Sequence, residues 1–446
     1  MNRCRIALGF SACVFVSLSL TIFAAEPSSS DGKNDLAFWT QWRGPSGQGY
    51  SKDTRVPLNW SETENLLWKT KLPGKGNSTP IIWGDRVFLT ASSPNGKERL
   101  VLCVSTRDGK ILWQRDATRD APPEKTYSWN GYASASCVTD GKYVYAFFGT
   151  PGLFCYDFDG KLMWKHNFGV FTSAAGWGTA ASPFLFEDLV IQNCDNDGSA
   201  ALPKNAGEEK AAPMALVALD KKDGAVRWTT TRNQGRGFST PRLMTMAGGR
   251  IDLVLNGPLG VWGYDPRTGK ERWRCERIGG EQARFGEPMP VSNGELLFVQ
   301  SGRPGPCQAI RLPGDGNVTH SHVVWQGSRK GHRDVSSPIL WNGRIYTADS
   351  RAGKLSCYDL KTGKELYNER LGGKSLASPI AVRGKLLFLQ DNGQTVVIEP
   401  GEKYQEVRRN RLGDGKELDF GASPAVADGR LFLRSQSYLY CIGEKK

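Results

Sequence analysis

One short pattern, written eight times, limits what this chain can fold into. "STPIIWGDRVFL" from Ser78, "SSPILWNGRIYTA" from Ser336, "ASPIAVRGKLLFL" from Ala377 and "ASPAVADGRLFL" from Ala422 are variants of one phrase. Aligned on the residue after the small pair, the copies fall at Pro80, Cys137, Pro183, Pro241, Pro288, Pro338, Pro379 and Pro424, at spacings of 57, 46, 58, 47, 50, 41 and 45. Repeats of this length hold four short strands, and no such unit buries its own faces. Seven of the eight copies open with proline, which fits the first residue of a strand because its missing N–H is not needed there. A turn dipeptide follows, such as Asp140-Gly141, Asn293-Gly294, Asn342-Gly343 or Asp428-Gly429, of the kind that accepts positive φ in a hairpin. Alternating apolar strands come next. With 52 Gly, 24 Pro and 14 Trp in 446 residues, the composition is that of a turn-dense globular chain.

The segment joining the third and fourth strands is the most legible. "CVSTRDGKILW" ends at Trp113, "CYDFDGKLMW" at Trp164, "ALDKKDGAVRW" at Trp228, "GYDPRTGKERW" at Trp273 and "CYDLKTGKELY" at Tyr367. These segments resemble the tryptophan-docking repeat of the pyrroloquinoline-quinone (PQQ) type β-propellers, over about Leu66 to Ile442. The resemblance implies an all-β, eight-bladed propeller in which Trp68, Trp113, Trp164, Trp228, Trp273, Trp325 and Tyr367 wedge each blade against the next. Copies five ("HVVWQG") and seven ("EPGEKYQEV") depart from the pattern, so irregular blades are expected there.

Closure supplies a physical check. The last copy has three strands, and "NLLWKTKL", with Trp68, is an orphan fourth strand near the start of the chain. Pairing the two completes an eighth blade and leaves no open sheet edge. The expected layout is a leader at 1–25, a linking segment at 26–64 and one propeller over 65–446.

Arg3 and Arg5 precede an apolar run from Ile6 to Phe23 and then "AAEPSSS", the order of a secretory leader cut after Ala25. An uncleaved anchor and acylation at Cys13 are the weighed alternatives. An exported, periplasmic or extracellular protein is expected, soluble after cleavage, with peripheral membrane contact possible. Cleavage removes two arginines and no acid, so the formal charge of +13 becomes +11. Such an excess suits anionic partners, although the charges are spread along the chain as on a solvated surface.

Eight cysteines follow the leader. Cys103, Cys155, Cys357 and Cys441 share the third-strand slot that Ala218 and Gly263 hold elsewhere, where a thiol serves as a small apolar group, and equivalent slots in different blades lie beyond bridging distance. Cys137 takes a proline position, and Cys194, Cys275 and Cys307 have no assigned role. His320 and His322 lack partners at metal-ligand spacing. "DNDGSA" at Asp195 lacks the glycine and glutamate of a calcium loop, and "KTG" at Lys361 is a repeat turn. No metal site is expected, and no Ser/His/Asp set can be assembled.

Two insertions, 114–132 and 194–213, sit in connections that emerge on one face of the ring, because antiparallel strands reverse direction. The loops entering the inner strands carry Trp129, Asn130, Tyr132, Trp177, Arg236, Phe238, Arg284, Phe285, Glu287, Arg333, Asp334, Lys374, Asp419 and Phe420. Convergence at the axis would make an aromatic, net cationic funnel; the plainer reading is packing caps and solvated charges.

Three functions fit. The first, preferred, is a non-enzymatic scaffold resembling the outer-membrane assembly propellers of the BamB type, binding a protein or anionic ligand at the mouth as a monomer and without a cofactor. The second is a PQQ- and calcium-dependent dehydrogenase of alcohols or sugars, with Trp129 or Trp177 as stacking floor and Glu287 or Asp334 as carboxylate. The adjacent Cys-Cys of the better-known enzymes is missing. The third is a carrier of anionic glycans; nucleic acid is not expected for an exported chain. "WTQWRGPSGQGYS", Trp39 to Ser51, resembles the entry sequence common in secreted PQQ-like repeat proteins, and its place is left open between the ring's underside and a partner contact.

Overall fold

In the computed structural model the described residues are 35–118, 124–127, 130–172, 176–195, 210–232, 234–235, 237–276, 286–302, 306–328, 335–413 and 420–445. The leader at 1–25 lies outside them. Eight antiparallel sheets follow one another around an axis, all but the eighth with their strands in chain order from the inside outward, and the described residues contain no α-helix. Blade one holds Ile81–Trp83, Arg86–Ser92, Arg99–Ser105 and Ile111–Asp116. Blade eight holds Ala425–Ala427, Arg430–Arg434 and Tyr438–Ile442, and its outer strand is Leu66–Lys71. Trp68 pairs with Cys441 and Lys69 with Tyr440, so the two ends of the chain share one sheet. The hairpin turns Asn342-Gly343 (φ 47° and 73°) and Asp428-Gly429 (φ 49° and 73°) are left-handed at both positions, as a primed turn requires.

The sequence alignment slips in copy five. Every inner strand begins on the residue after the aligned position, at Ile81, Val138, Phe184, Arg242, Ile339, Ile380 and Ala425, but the inner strand of blade five begins at Val291. The structural equivalent is therefore Pro290, not Pro288. "EPMP" offers two prolines, and only the second has the paired strand behind it.

The register gives the small residue before the proline a purpose. Thr79 N–H donates to Ser136 Oγ (2.9 Å), Ser136 N–H to Ser182 Oγ (3.0 Å) and Ser182 N–H to Thr240 Oγ1 (3.0 Å). Met289 N–H donates to Ser337 Oγ (2.9 Å), Ser337 N–H to Ser378 Oγ (2.9 Å) and Ser378 N–H to Ser423 Oγ (3.0 Å). Six of the eight inner strands thus satisfy a buried amide at their entry with the next blade's hydroxyl, a bond worth about 1 kcal/mol net that fixes the height of one blade against the next. The relay breaks after blade four because Met289 brings no hydroxyl. At the joint of blades eight and one, buried Arg434 donates to Ser78 O (3.1 Å) and Thr90 O (2.8 Å).

Outer contacts rest on the indoles. Nε1–H of Trp68 donates to Thr106 O (3.0 Å), that of Trp113 to Phe158 O (2.8 Å), that of Trp164 to Lys221 O (2.9 Å) and that of Trp325 to Leu360 O (2.8 Å), each on the following blade. The rings lie on Gly109, Gly160, Gly224 and Gly363, and Trp228 lies on Gly269. Each of these glycines has φ between 70° and 79°, and a Cβ on any of them would come within 2.8 Å of a ring atom. Glycine is required there twice over, by backbone and by space. Tyr367 meets Tyr404 of blade seven edge to face at 6.0 Å.

Trp273 differs. It folds back over its own sheet, fully buried, with Nε1–H donating to Asp252 Oδ2 (2.8 Å) and its ring against Gly263 and Gly314. Blade five's third-to-fourth connection is the irregular stretch 312–322, in which Gly314, the glycine against the Trp273 ring, lacks the positive φ of the docking glycines. Instead Gly316–Asn317 lies parallel beside Trp273 and Arg274 as an added strand. In blade seven the position opposite Val397 is the exposed Arg408. Trp60, from the segment before the ring, is buried in the cluster shared by blades seven, eight and one, and its N–H donates to Asn410 Oδ1 (3.1 Å).

All eight cysteines of the described residues are free and buried. Burial pushes the Cys103 and Cys137 thiols up to about 12. Cys194, Cys275 and Cys307, which the sequence left without a role, are core groups with weak contacts to Gln192 O (4.0 Å), Gln308 Oε1 (3.9 Å) and Gly327 O (3.9 Å). A thiol-reactive chromogenic disulfide should therefore label none of the eight in the native protein and all eight in denaturant; rapid native labelling would contradict this packing.

Candidate functional site: a stoppered cup on the propeller axis

The segment before the ring fills the channel from below. Phe38 and Trp39 pair antiparallel with Trp83 and Ile82 of blade one's inner strand, so the chain runs toward the mouth. It turns at Arg43-Gly44, both left-handed (φ 66° and 75°), and descends through Tyr50, which bridges parallel to Ala381 of blade seven. Gly49 N–H donates to Arg43 O (2.8 Å), closing the loop. Glycine is needed at 44 because a Cβ there would lie 2.9 Å from the Trp39 ring. Trp39 and Arg43 are fully buried. Of the two placements the sequence left open, the loop takes the underside and continues inward as a stopper.

Above the stopper lies a cavity of about 160 Å³ to which all eight blades contribute. Trp42 lines it, with Nε1–H donating to Ser423 Oγ (3.3 Å). The wall has two tiers. The lower tier is the hydroxyl relay, with Ser136, Ser182, Thr240, Ser378 and Ser423 facing in. The upper tier is the residue three before each aligned position: Asn77, Ser134, Ala180, Phe238, Glu287, Val335, Leu376 and Gly421. With Pro290 as the reference for blade five, all eight members of this tier line the cavity. Asn130 and Trp177 complete the wall. Asn130 Nδ2 donates to Trp177 O (2.7 Å), Asn77 Nδ2 donates to Asn130 O (3.0 Å), and the Trp177 ring stands 4.5 Å from that of Tyr127.

Glu287 is the one carboxylate in this wall. Its Oε2 is buried on the face of Gly302, where a Cβ would approach to 1.4 Å, so only glycine leaves room for it. At the flank of the mouth a second acid, Asp195, is fully buried against Arg232 Nε (3.0 Å), whose Nη1 donates to Tyr264 OH. Burial lifts the Asp195 carboxyl to about 6 against the pull of Arg232. The pair locks the blade-three connection to the strand leading into blade four, and neither group faces the cavity.

The structure sorts the residues expected at the axis. Asn130, Trp177, Phe238 and Glu287 line the cavity. Tyr132 does not: its ring packs on Gly96 and lies 4.7 Å beneath the Arg99 guanidinium, toward blade one. Lys374 is exposed, and its N–H bonds Asp391 Oδ1 (3.1 Å). Phe420 is buried against Tyr440 at 5.6 Å and caps the ring's packing. Trp129, Arg236, Arg284, Phe285, Arg333, Asp334 and Asp419 lie outside the described residues. The expected cationic funnel is thus not what the described wall presents: its side chains are apolar, amide or hydroxyl, with one acid. Sequence reasoning missed Trp42 and most of the upper tier, although a fixed offset from each repeat proline identifies that tier.

A quinone cofactor with calcium, as the dehydrogenase resemblance implies, would need several carboxylate oxygens for the metal and cations for the quinone's acid groups. The described wall supplies Glu287 alone and no lysine or arginine. Among the described residues no three His, Cys, Asp or Glu side chains gather as a metal group. The described residues do not fit that pair.

Comparison with known proteins agrees with the architecture. Tetrathionate hydrolase of Acidithiobacillus ferrooxidans is 24% identical over 293 residues, 64% of this chain and 52% of that protein, so the match spans about half the length of that relative. Outer membrane protein assembly factor BamB of Yersinia pestis is 22% identical over 365 residues, 79% of this chain and 81% of that one. The crystal structure of BamB from Moraxella catarrhalis superposes with a TM-score of 0.57 at 14% identity, covering 85% of this chain and 97% of that one, a likeness of fold. The family model described as outer membrane protein assembly factor BamB matches residues 52–167, 97–210 and 210–400. An eight-bladed ring closed by its own ends, with most of its length matched by that model, belongs to the BamB-type family of PQQ-like propeller repeats.

Proposed function

We propose that this chain is an exported, non-enzymatic scaffold that holds an extended stretch of a protein partner at the mouth of the ring. The observation that carries the reading is the stopper. With Trp42 seated in the channel, an open ring becomes a closed-ended cup whose apolar anchors, Trp42, Trp177, Phe238, Val335 and Leu376, suit a partner's aromatic or aliphatic side chain. The hydroxyl and amide groups between them suit its main chain. The described wall sets no nucleophile beside a base. The name of the Yersinia pestis relative, an assembly factor for outer membrane proteins, supports a protein partner, and the basic and then apolar start of the chain supports export.

The test has two arms. A photo-reactive residue placed at Leu376 in the cell of origin should cross-link to a protein. Leu376→Asp should then weaken the purified pair at least tenfold, about 1.4 kcal/mol, without moving the melting temperature, because a charge enters the apolar wall and no ring contact is lost. Reconstitution with PQQ and calcium that produced dye-linked alcohol oxidation would replace the scaffold reading.

A further inference from the structure

The stopper carries an electrostatic problem that its own residues leave unsolved. Arg43 in the loop and Arg242 at the head of blade four's inner strand are both buried, at 0% and 5% exposure. Arg43 Nη2 donates to Gln48 O (2.8 Å) and Pro338 O (2.8 Å), and Arg242 Nη1 donates to Pro290 O (3.2 Å). Both thus reach the carbonyls of aligned prolines, one residue beyond the hydroxyl relay and one layer beneath the cup. The two cations bear on the same phenol, Tyr50, whose OH donates to Leu340 O. Arg242 is also close enough to disfavour the charge on Arg43.

Three further donor nitrogens have no acceptor among the described residues: Nε and Nη1 of Arg43, and Nε of Arg242. Among the described residues no carboxylate forms an ion pair with either guanidinium, whereas Arg99 pairs with Glu124 and Arg232 with Asp195; Arg434, which also lacks an acid and leaves its Nε unpartnered, spreads over two carbonyls and a hydroxyl and has no second guanidinium beside it. Unpaired buried charge and unmade bonds to charged donors are each expensive. Burial pulls Arg43 down to about 9 and Arg242 to about 10, still above neutrality, so both remain cations. The backbone adds to the cost: Arg43 is held at φ 66°, in the left-handed region that disfavours a residue bearing a side chain.

We propose that Arg43 and Arg242 form a binding site for one small monovalent inorganic anion, of halide or nitrate size, which fastens the stopper loop to blades four, five and six. The number of donors sets the class of anion, and the packing around them is close. Gly47 lies against the Arg242 side chain (3.7 Å from an added Cβ), and Gly49 sits between Arg43 Nη2 (3.4 Å) and Pro379 O (2.9 Å). A side chain at Gly49 would collide with that carbonyl and crowd the guanidinium. Three donors serve a halide or one edge of a planar oxoanion. A tetrahedral dianion has more oxygen atoms than they can satisfy and a far larger desolvation cost. The ligand is a structural counter-ion, independent of whatever occupies the cup.

Crystals of the full-length protein soaked in bromide and measured at the bromine edge test the site. An anomalous peak within hydrogen-bond distance of Arg43 Nε and Arg242 Nε is expected; its absence overturns the proposal. In solution, raising bromide or nitrate at constant ionic strength against gluconate should raise the melting temperature saturably, by about 3 °C at a hundredfold excess over the dissociation constant. Arg242→Gln should abolish the saturable part. A linear, non-saturating response in the wild type would count against the site, and if the variant does not fold the wild-type peak still decides.

Discussion

A chain that begins at residue 73 should fail to give a soluble monomer, while one that begins at residue 65 should fold with reduced stability. The first loses Leu66–Lys71, the outer strand of blade eight, and exposes the full edge of Tyr438–Ile442. It also loses the Trp68 indole from Thr106 O, the contact that ties blade eight to blade one. An unpaired, flat, apolar strand edge recruits other chains, so size-exclusion chromatography should show polydisperse or aggregated material. The second keeps that strand and loses the stopper, with the buried indoles of Trp39 and Trp60. Truncation of one such residue costs about 3–5 kcal/mol, so a large fall in the urea midpoint is expected from the longer chain without loss of the ring. A monodisperse chain from residue 73 with an unchanged midpoint would mean that the ring is not held shut by its two ends.

Trp273→Ala should be the most damaging single substitution among the repeat tryptophans. The other indoles span an interface and keep an exposed margin or a solvent-facing edge, but Trp273 is enclosed on all sides by Gly263, Gly314 and the added strand Gly316–Asn317. Its removal leaves a cavity and takes from Asp252 Oδ2 the indole donor, while the carboxylate keeps Arg272 (2.6 Å) and Arg250 (2.9 Å). A loss of about 3–5 kcal/mol, read from the urea midpoint at unchanged slope, is expected. Trp164→Ala, whose ring rests on Gly224 at an interface, should cost less. Equal losses at the two positions would show that Trp273 is an ordinary wedge.

The contrast between these two tryptophans shows what the sequence could convey. The phrase ending in tryptophan is local, so the docking turns at Gly109, Gly160, Gly224 and Gly363 could be read from it directly. Trp273 ends the same phrase, yet its fate depends on the irregular connection of blade five some forty residues later, a non-local condition. The slip from Pro290 to Pro288 has a similar origin: two prolines stand two residues apart, neither after a small pair, and only strand pairing distinguishes them. That slip hid the upper tier of the cup, because the offset of three residues is visible only when all eight copies are in register. Tyr132 and Lys374 were expected at the axis because loop position was taken for side-chain direction, and Arg99 and solvent, respectively, claim them instead. The stopper was beyond reach for another reason: nothing in "WTQWRGPSGQGYS" states which channel will take it.

The hydroxyl relay holds the ring's height, and the residue two positions earlier sets the colour of the cup wall. Since Asn, Ser, Ala, Phe, Glu, Val, Leu and Gly occupy that position in turn on one unchanging frame, assembly and selectivity are encoded by different letters of the same repeat. Drift at the eight upper-tier positions can retune what the mouth accepts while leaving every blade joint intact, so relatives sharing this closure are free to serve unrelated guests.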